Sequence, residues 1–179
     1  MSSLTIAPGS LRQVRERLLT LDPDGAPEWL RAAGTETGAL LLRHFQARLA
    51  HRTGLDDPAL LDARWLGPLL GESLAETGWG AASLVDLGDD AILLDAPEWA
   101  ESGSGAPAGS GCHFSVGMLT ALFSGLAGTP VAVVEVECRA TGASACRFAV
   151  GADDMAAVWR DVVAAGGDWR TTISTPHQG

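Results

Sequence analysis

Apolar residues at positions 11, 14, 18, 19 and 21 repeat at the spacing of a helix that buries one side, and Ser10 ahead of them suits an N-cap. Asp22-Pro-Asp-Gly-Ala-Pro27 stops that pattern. A second helical stretch runs from Pro27 to about His51, with Gly34 and Gly38 four apart, so one face carries a bare stripe on which a neighbour can pack closely. A third runs to Thr77, read as two pieces around Gly67-Pro68. After Gly78-Trp-Gly80 the period switches from 3.6 to 2: 82–87 and 91–94 read as strands joined at Gly88-Asp-Asp90. His113 to Ala127 is an apolar helix with Phe114, Met118 and Leu122 in line, stopped by Gly128-Thr-Pro130. A β-branched strand from Pro130 to Cys138, a tight turn at Thr141-Gly142, a return strand from Ala145 to Val150 and a helix from Asp153 to Ala165 complete the pattern. This order predicts an α+β fold, with N-terminal helices packed on a small antiparallel sheet that ends in a C-terminal hairpin.

Residues 101–111 are Gly/Ser/Pro-rich and read as a surface loop, since the segments on either side are too short for separate cores. The expected organisation is an N-terminal extension over 1–9, a single domain over 10–166 and a flexible tail over 167–179. With 179 residues, one core is ample.

Charge narrows the partners. Twelve basic against 22 acidic residues give a net charge of −10, and the arginines are scattered, which argues against nucleic acid and anionic membrane as partners. No apolar run approaches the roughly 20 residues needed to span a bilayer. The N-terminus lacks a basic-then-apolar signal, so the expected location is the cytoplasm, where thiols stay reduced.

That shifts the meaning of the three cysteines, Cys112, Cys138 and Cys146. Cys138 and Cys146 flank the hairpin turn, and Glu135 lies three residues before Cys138. Three thiolates and a carboxylate complete a tetrahedron for zinc, while three small buried residues are the competing reading. In an unbroken strand Glu135 and Cys138 point to opposite faces, so this ligand set requires a bulge or turn near Glu137. Glu137 and His113 are the alternative ligands. No phosphate-binding glycine motif follows a strand, the histidines show no ligand spacing, Asp89-Asp90 reads as a solvated turn, and no catalytic residue is assigned; enzymatic activity is left open, with a binding module preferred.

The stretches Cys112-His-Phe-Ser-Val-Gly117, Val134-Glu-Val-Glu-Cys138 and Cys146-Arg-Phe148, with Gly142 between the last two, resemble the C-terminal signature of the 4-vinyl-reductase domain family. The resemblance extends to Gly78-Trp-Gly80; the first 70 residues match only in helical character. It implies a fold similar to TRAPP subunits and heme nitric-oxide sensor domains. It also implies a structural zinc at Cys112, Glu135, Cys138 and Cys146, whose Cys-x22-Glu-x2-Cys-x7-Cys spacing matches that of the phenol-sensing members. Family members bind hydrophobic or aromatic small molecules between helices and sheet, which makes Trp79, Trp99, Phe114, Met118, Leu122 and Phe123 the ligand-binding candidates. A homodimer is implied by the sensory members. The implied function is a stand-alone sensor-like domain; an accessory or substrate carrier in bacteriochlorophyll biosynthesis, with a reductase less favoured for want of any dinucleotide motif, and a protein-interaction scaffold are the alternatives.

Overall fold

Asp22 accepts the Gly25 N–H, so the chain turns from one helix directly into the next. In the computed structural model, which describes residues 8–88, 91–103 and 111–170, the helices are α1 (Pro8–Leu21), α2 (Ala26–Thr53), α3 (Ala63–Glu76), α4 (His113–Ala127) and α5 (Met155–Ala164). Strands β1 (Ser83–Gly88), β2 (Ala91–Ala96), β3 (Val131–Glu137) and β4 (Cys146–Ala152) form one antiparallel sheet in the order β1-β2-β4-β3. The expected α+β architecture holds. Asp89 and Asp90, the expected turn of the first hairpin, lie outside the described residues, as do 104–110 of the Gly/Ser-rich stretch.

The sheet separates two apolar layers. On one face Leu94, Val133, Cys146, Phe148 and Val150 pack against α2, α3 and α4 through Phe45, Leu49, Leu70, Leu74, Met118 and Leu122. On the other, Leu93, Val134, Val136 and Ala149 meet α5 through Trp159, together with Trp169.

Three expectations change. Helix α3 runs through Pro68 without a break: the proline removes one ladder hydrogen bond, but Leu66, Leu69, Leu70 and Leu74 on both sides of it are packed into the core and hold the helix in line. The turn after β3 is not tight; eight residues, 138–145, join β3 to β4 and contain a 3₁₀ turn at Arg139–Thr141, with Gly142 at φ 102°. The tail expected from 167 includes Trp169, which is buried and donates its indole N–H to Glu137. Glu137 is ion-paired to Arg147 and Arg170 on the same face, so the chain is tied down through residue 170.

The bare stripe finds its neighbour in α4. A Cβ on Gly34 would stand 2.0 Å from the Phe114 carbonyl oxygen, one on Gly38 2.2 Å from that of Met118, and one on Gly117 of α4 2.0 Å from that of Arg31. The two helix backbones therefore touch, and glycine at these three positions is a steric requirement. Gly34→Ala or Gly117→Ala is expected to force the helices apart and to lower stability by about 1–3 kcal/mol, read as a lower urea midpoint at unchanged m-value.

Candidate metal centre and the adjoining aromatic cleft

Helix α4 begins in the interior, where its first N–H groups need acceptors. Cys112 holds the N-cap position but makes no side-chain cap. Glu101, fully buried, takes that role from a distant loop: its carboxylate accepts the N–H of Phe114 (3.2 Å), the N–H of Ser115 (2.7 Å) and the Ser115 hydroxyl (2.5 Å). Burial pushes the Glu101 carboxyl up, opposed by the Ser115 and Phe114 hydrogen bonds and by Arg15. Arg15, also buried, donates to the Glu101 carbonyl at 2.8 Å, and Arg12 to that of Ser102 at 3.4 Å, so α1 clamps this loop.

The clamp places Cys112 beside the second hairpin. In β3 the register against β4 slips between Glu135, opposite Phe148, and Glu137, opposite Arg147. Val136 is the extra residue of a bulge. Val136 and Glu137 then both turn toward α5, and Glu135 and Cys138 share the α4 face. The irregularity that the sequence pattern required is present.

Cys112, Glu135, Cys138 and Cys146 offer ligand atoms that all lie within 4.8 Å of one another. The Cys112 sulfur is 3.8 Å from each of the other two sulfurs. That is the edge of a tetrahedron whose corners stand about 2.3 Å from its centre, the zinc–thiolate bond length. Cys112 and Cys146 are fully buried, Cys138 nearly so, and all three thiols are free. One carboxylate oxygen of Glu135 accepts the Cys112 N–H at 2.6 Å, whereas its buried Oε1 has no hydrogen-bond partner. An orphaned carboxylate oxygen beside three touching sulfurs is an unfavourable arrangement for the protein alone and a suitable one for a metal ion.

Electrostatics reflect the same crowding. Burial pushes the Glu135 carboxyl up to about 7. The sulfurs share protons: Cys146 is held low by hydrogen bonds from Cys112 and Cys138, while Cys112 is pushed well up, first by its contacts with the other two. Cys146 also accepts the Arg139 backbone N–H and a hydrogen bond from Ser102, the donors that steady a metal-bound thiolate.

The alternative ligands lie elsewhere. Glu137 faces Arg147, Trp169 and Arg170, whose charges and hydrogen bonds hold it low against a larger desolvation effect. The His113 Nδ1 lies 3.4 Å from Arg31.

Of the ligand-binding candidates, Trp79 and Trp99 line a cleft of about 270 Å³ together with Arg12, Gly78, Gly80, Glu98, Ala100, Ser102 and Arg139. The Gly78-Trp-Gly80 motif makes this possible: Gly78 has φ 87°, and Gly80, at φ 111°, passes so close to the Glu98 carbonyl that a Cβ would stand 2.1 Å away. Trp79 stacks on Phe114 (5.8 Å between centroids, 17°) and meets Trp99 at 5.6 Å. The Trp99 indole N–H is already committed to the Ser115 hydroxyl at 2.7 Å. Met118, Leu122 and Phe123 are buried in the core between α4 and the sheet. Sequence reasoning missed Arg12, Arg15, Glu101, Ser102, Ser115 and Arg139; a lone Glu-Ser pair opening a Gly/Ser-rich run was the only local signal, and it reads equally well as solvated loop.

The fold defines the class. The chain shares the fold of a small-molecule sensory domain: 98% of it superposes on 85% of the phenol-responsive sensory domain of the transcription activator PoxR, crystallised with phenol, at TM-score 0.59 and 13% identity. More particularly, residues 96–152 match the 4-vinyl-reductase domain, the family that the sequence resembles, and this segment holds all four residues of the cluster. The chain is also 33% identical over 132 residues to the bacteriochlorophyll synthase 23 kDa chain of Cereibacter sphaeroides. That alignment covers 70% of this chain, which spans 61% of the length of that relative. Among the described residues, no helix is long and apolar enough to cross a membrane.

Two outcomes follow from the geometry. Glu135→Gln should weaken zinc binding by at least about tenfold and Glu137→Gln should leave it unchanged, as read by competition with a chromophoric chelator. Two of the thiols that must deprotonate, Cys112 and Cys138, are held above the ordinary cysteine value. The measured affinity should therefore rise steeply between about pH 6 and pH 8; a flat profile would contradict a thiolate-rich site.

Proposed function

We propose that the chain is a zinc-containing, small-molecule-binding domain of the sensor type, for a hydrophobic or aromatic ligand. Residues 10–166 act as one ligand-binding unit in a reducing cytoplasm. The zinc is held by Cys112, Glu135, Cys138 and Cys146. With four protein ligands it has no open position, so it supplies rigidity and not Lewis acidity. It ties the N-terminus of α4 to both ends of the 138–145 connection.

The observation that carries this reading is the sharing of residues between cluster and cleft. Ser102 and Arg139 line the cleft and both hydrogen-bond Cys146, while Trp99 reaches the α4 N-terminus through Ser115 and Glu101. A ligand against Trp79 and Trp99 would thus rest on groups whose position the metal controls. As a homodimer, the domain would cover exposed Val14 and Leu21 of α1 and Trp29 and Leu40 of α2.

A second reading, a substrate carrier or accessory in bacteriochlorophyll synthesis, draws on the 33% identity to the bacteriochlorophyll synthase chain. At about 270 Å³ the cleft sits at the lower end of small-molecule pockets. That favours one or two aromatic rings over an enclosed macrocycle.

Native mass spectrometry of the protein as isolated should find one zinc per chain, and chelation should lower the melting temperature. Substoichiometric metal with a chelator-insensitive melting temperature would sink the zinc assignment. Parallel titrations with phenol and with a chlorophyllide-type pigment separate the two readings: tryptophan quenching by the first supports the sensor, saturable pigment absorbance shifts without it support the carrier.

A further inference from the structure

The arginines look dispersed in the sequence, yet two of them, from opposite ends of the chain, meet at the cleft. Arg12 comes from the first turns of α1 and Arg139 from the 3₁₀ turn after β3. Both side chains are half-buried. Arg12 uses one N–H on the Ser102 carbonyl at 3.4 Å, a long bond that leaves most of its fork available. Among the described residues the Arg139 guanidinium makes no hydrogen bond or ion pair; only its backbone N–H is engaged, on Cys146. In a chain of net charge −10, two incompletely paired guanidiniums at one small cleft call for an anion.

The acids nearby do not supply it. Glu98 lines the cleft but is exposed, so water screens its charge. Glu101 lies behind the wall, fully buried, and spends its carboxylate on Phe114 and Ser115. The rest of the lining is aromatic: Trp79 and Trp99, with Phe114 stacked behind Trp79.

The geometry points to a small planar aromatic carboxylate as the ligand class of this cleft, its ring against Trp79 and Trp99 and its carboxylate read by Arg12 and Arg139. This inference rests on the proposed small-molecule function and sharpens it from aromatic to aromatic and anionic. A guanidinium presents paired donors that match the two oxygens of a carboxylate, and a half-buried position strengthens the contact relative to open water. The volume admits one or two rings.

The test compares benzoate, benzamide, phenol and acetate on the intact zinc-loaded protein, by calorimetry and by indole N–H shifts in NMR. Benzoate should bind at least about tenfold more tightly than benzamide or acetate, and more weakly as salt is raised. Arg139→Gln should abolish the preference for benzoate over benzamide while zinc content and melting temperature stay unchanged; Arg139→Lys should restore part of it. Equal affinity for benzoate and benzamide, or tighter binding of phenol, overturns the charge assignment and leaves the small-molecule function standing. Acetate binding as well as benzoate overturns the role of the ring. If no ring compound perturbs the Trp79 and Trp99 indole signals, both this inference and the proposed function fall. The comparison of benzoate with benzamide needs no variant, so it decides even if Arg139→Gln misfolds.

Discussion

Burying the N-terminus of α4 is the constraint on which the rest of this structure depends. A helix that starts in water leaves its first amides to solvent; one that starts in a core must be given acceptors. Glu101 supplies them, and doing so draws its own loop inward, where Arg15 and Arg12 hold its backbone from α1. A buried carboxylate is unfavourable alone, but here it accepts three hydrogen bonds at the positive end of a helix dipole and has a guanidinium nearby. The result is a fixed point for Cys112 and a fixed wall, Trp99 to Ser102, for the cleft.

The opposite side of the cluster depends on a defect in a strand. Regular alternation would send Glu135 and Cys138 to opposite faces of the sheet. The bulge at Val136 adds one residue, lets Val136 join the apolar layer under α5, and frees Glu137 to pair with Arg147 and Arg170. Both faces benefit from the same irregularity: one gains a carboxylate among thiols, the other an ion-paired network that holds Trp169. Arg147 ties this network across to Asp95 on β2.

Cleft and cluster are therefore one piece of machinery. The segment 99–102 caps the helix that carries Cys112, and the residue after Cys138 is the arginine that reaches the cleft mouth. Ser102 and the Arg139 amide touch Cys146 from the cleft side. Any change in the position of the hairpin relative to α4 moves the lining, which is how a metal with no open coordination site can govern ligand binding without taking part in chemistry.

Much of this was legible in local pattern. The helical and alternating periods, the glycine stripe of α2 and the terminators at Asp22–Pro27 and Gly128–Pro130 come from steric and burial rules that act over a few residues. The four cysteine and glutamate positions stood out by residue type and spacing, and the need for a bulge followed from strand alternation alone. What local pattern did not contain was the partner of each surface. Pro68 reads as a break until core leucines on both sides of it hold the helix straight, Trp169 reads as frayed tail until Glu137 receives its N–H, and Glu101 reads as solvated loop until it meets the amides of α4. Arg12 and Arg139 are ordinary surface charges until α1 and the hairpin are brought to one cleft. Local sequence determines which elements form, because propensity and periodicity are short-range; which polar groups are left to meet in the interior is decided only when those elements pack, because desolvation acts on contacts made between residues far apart in the chain.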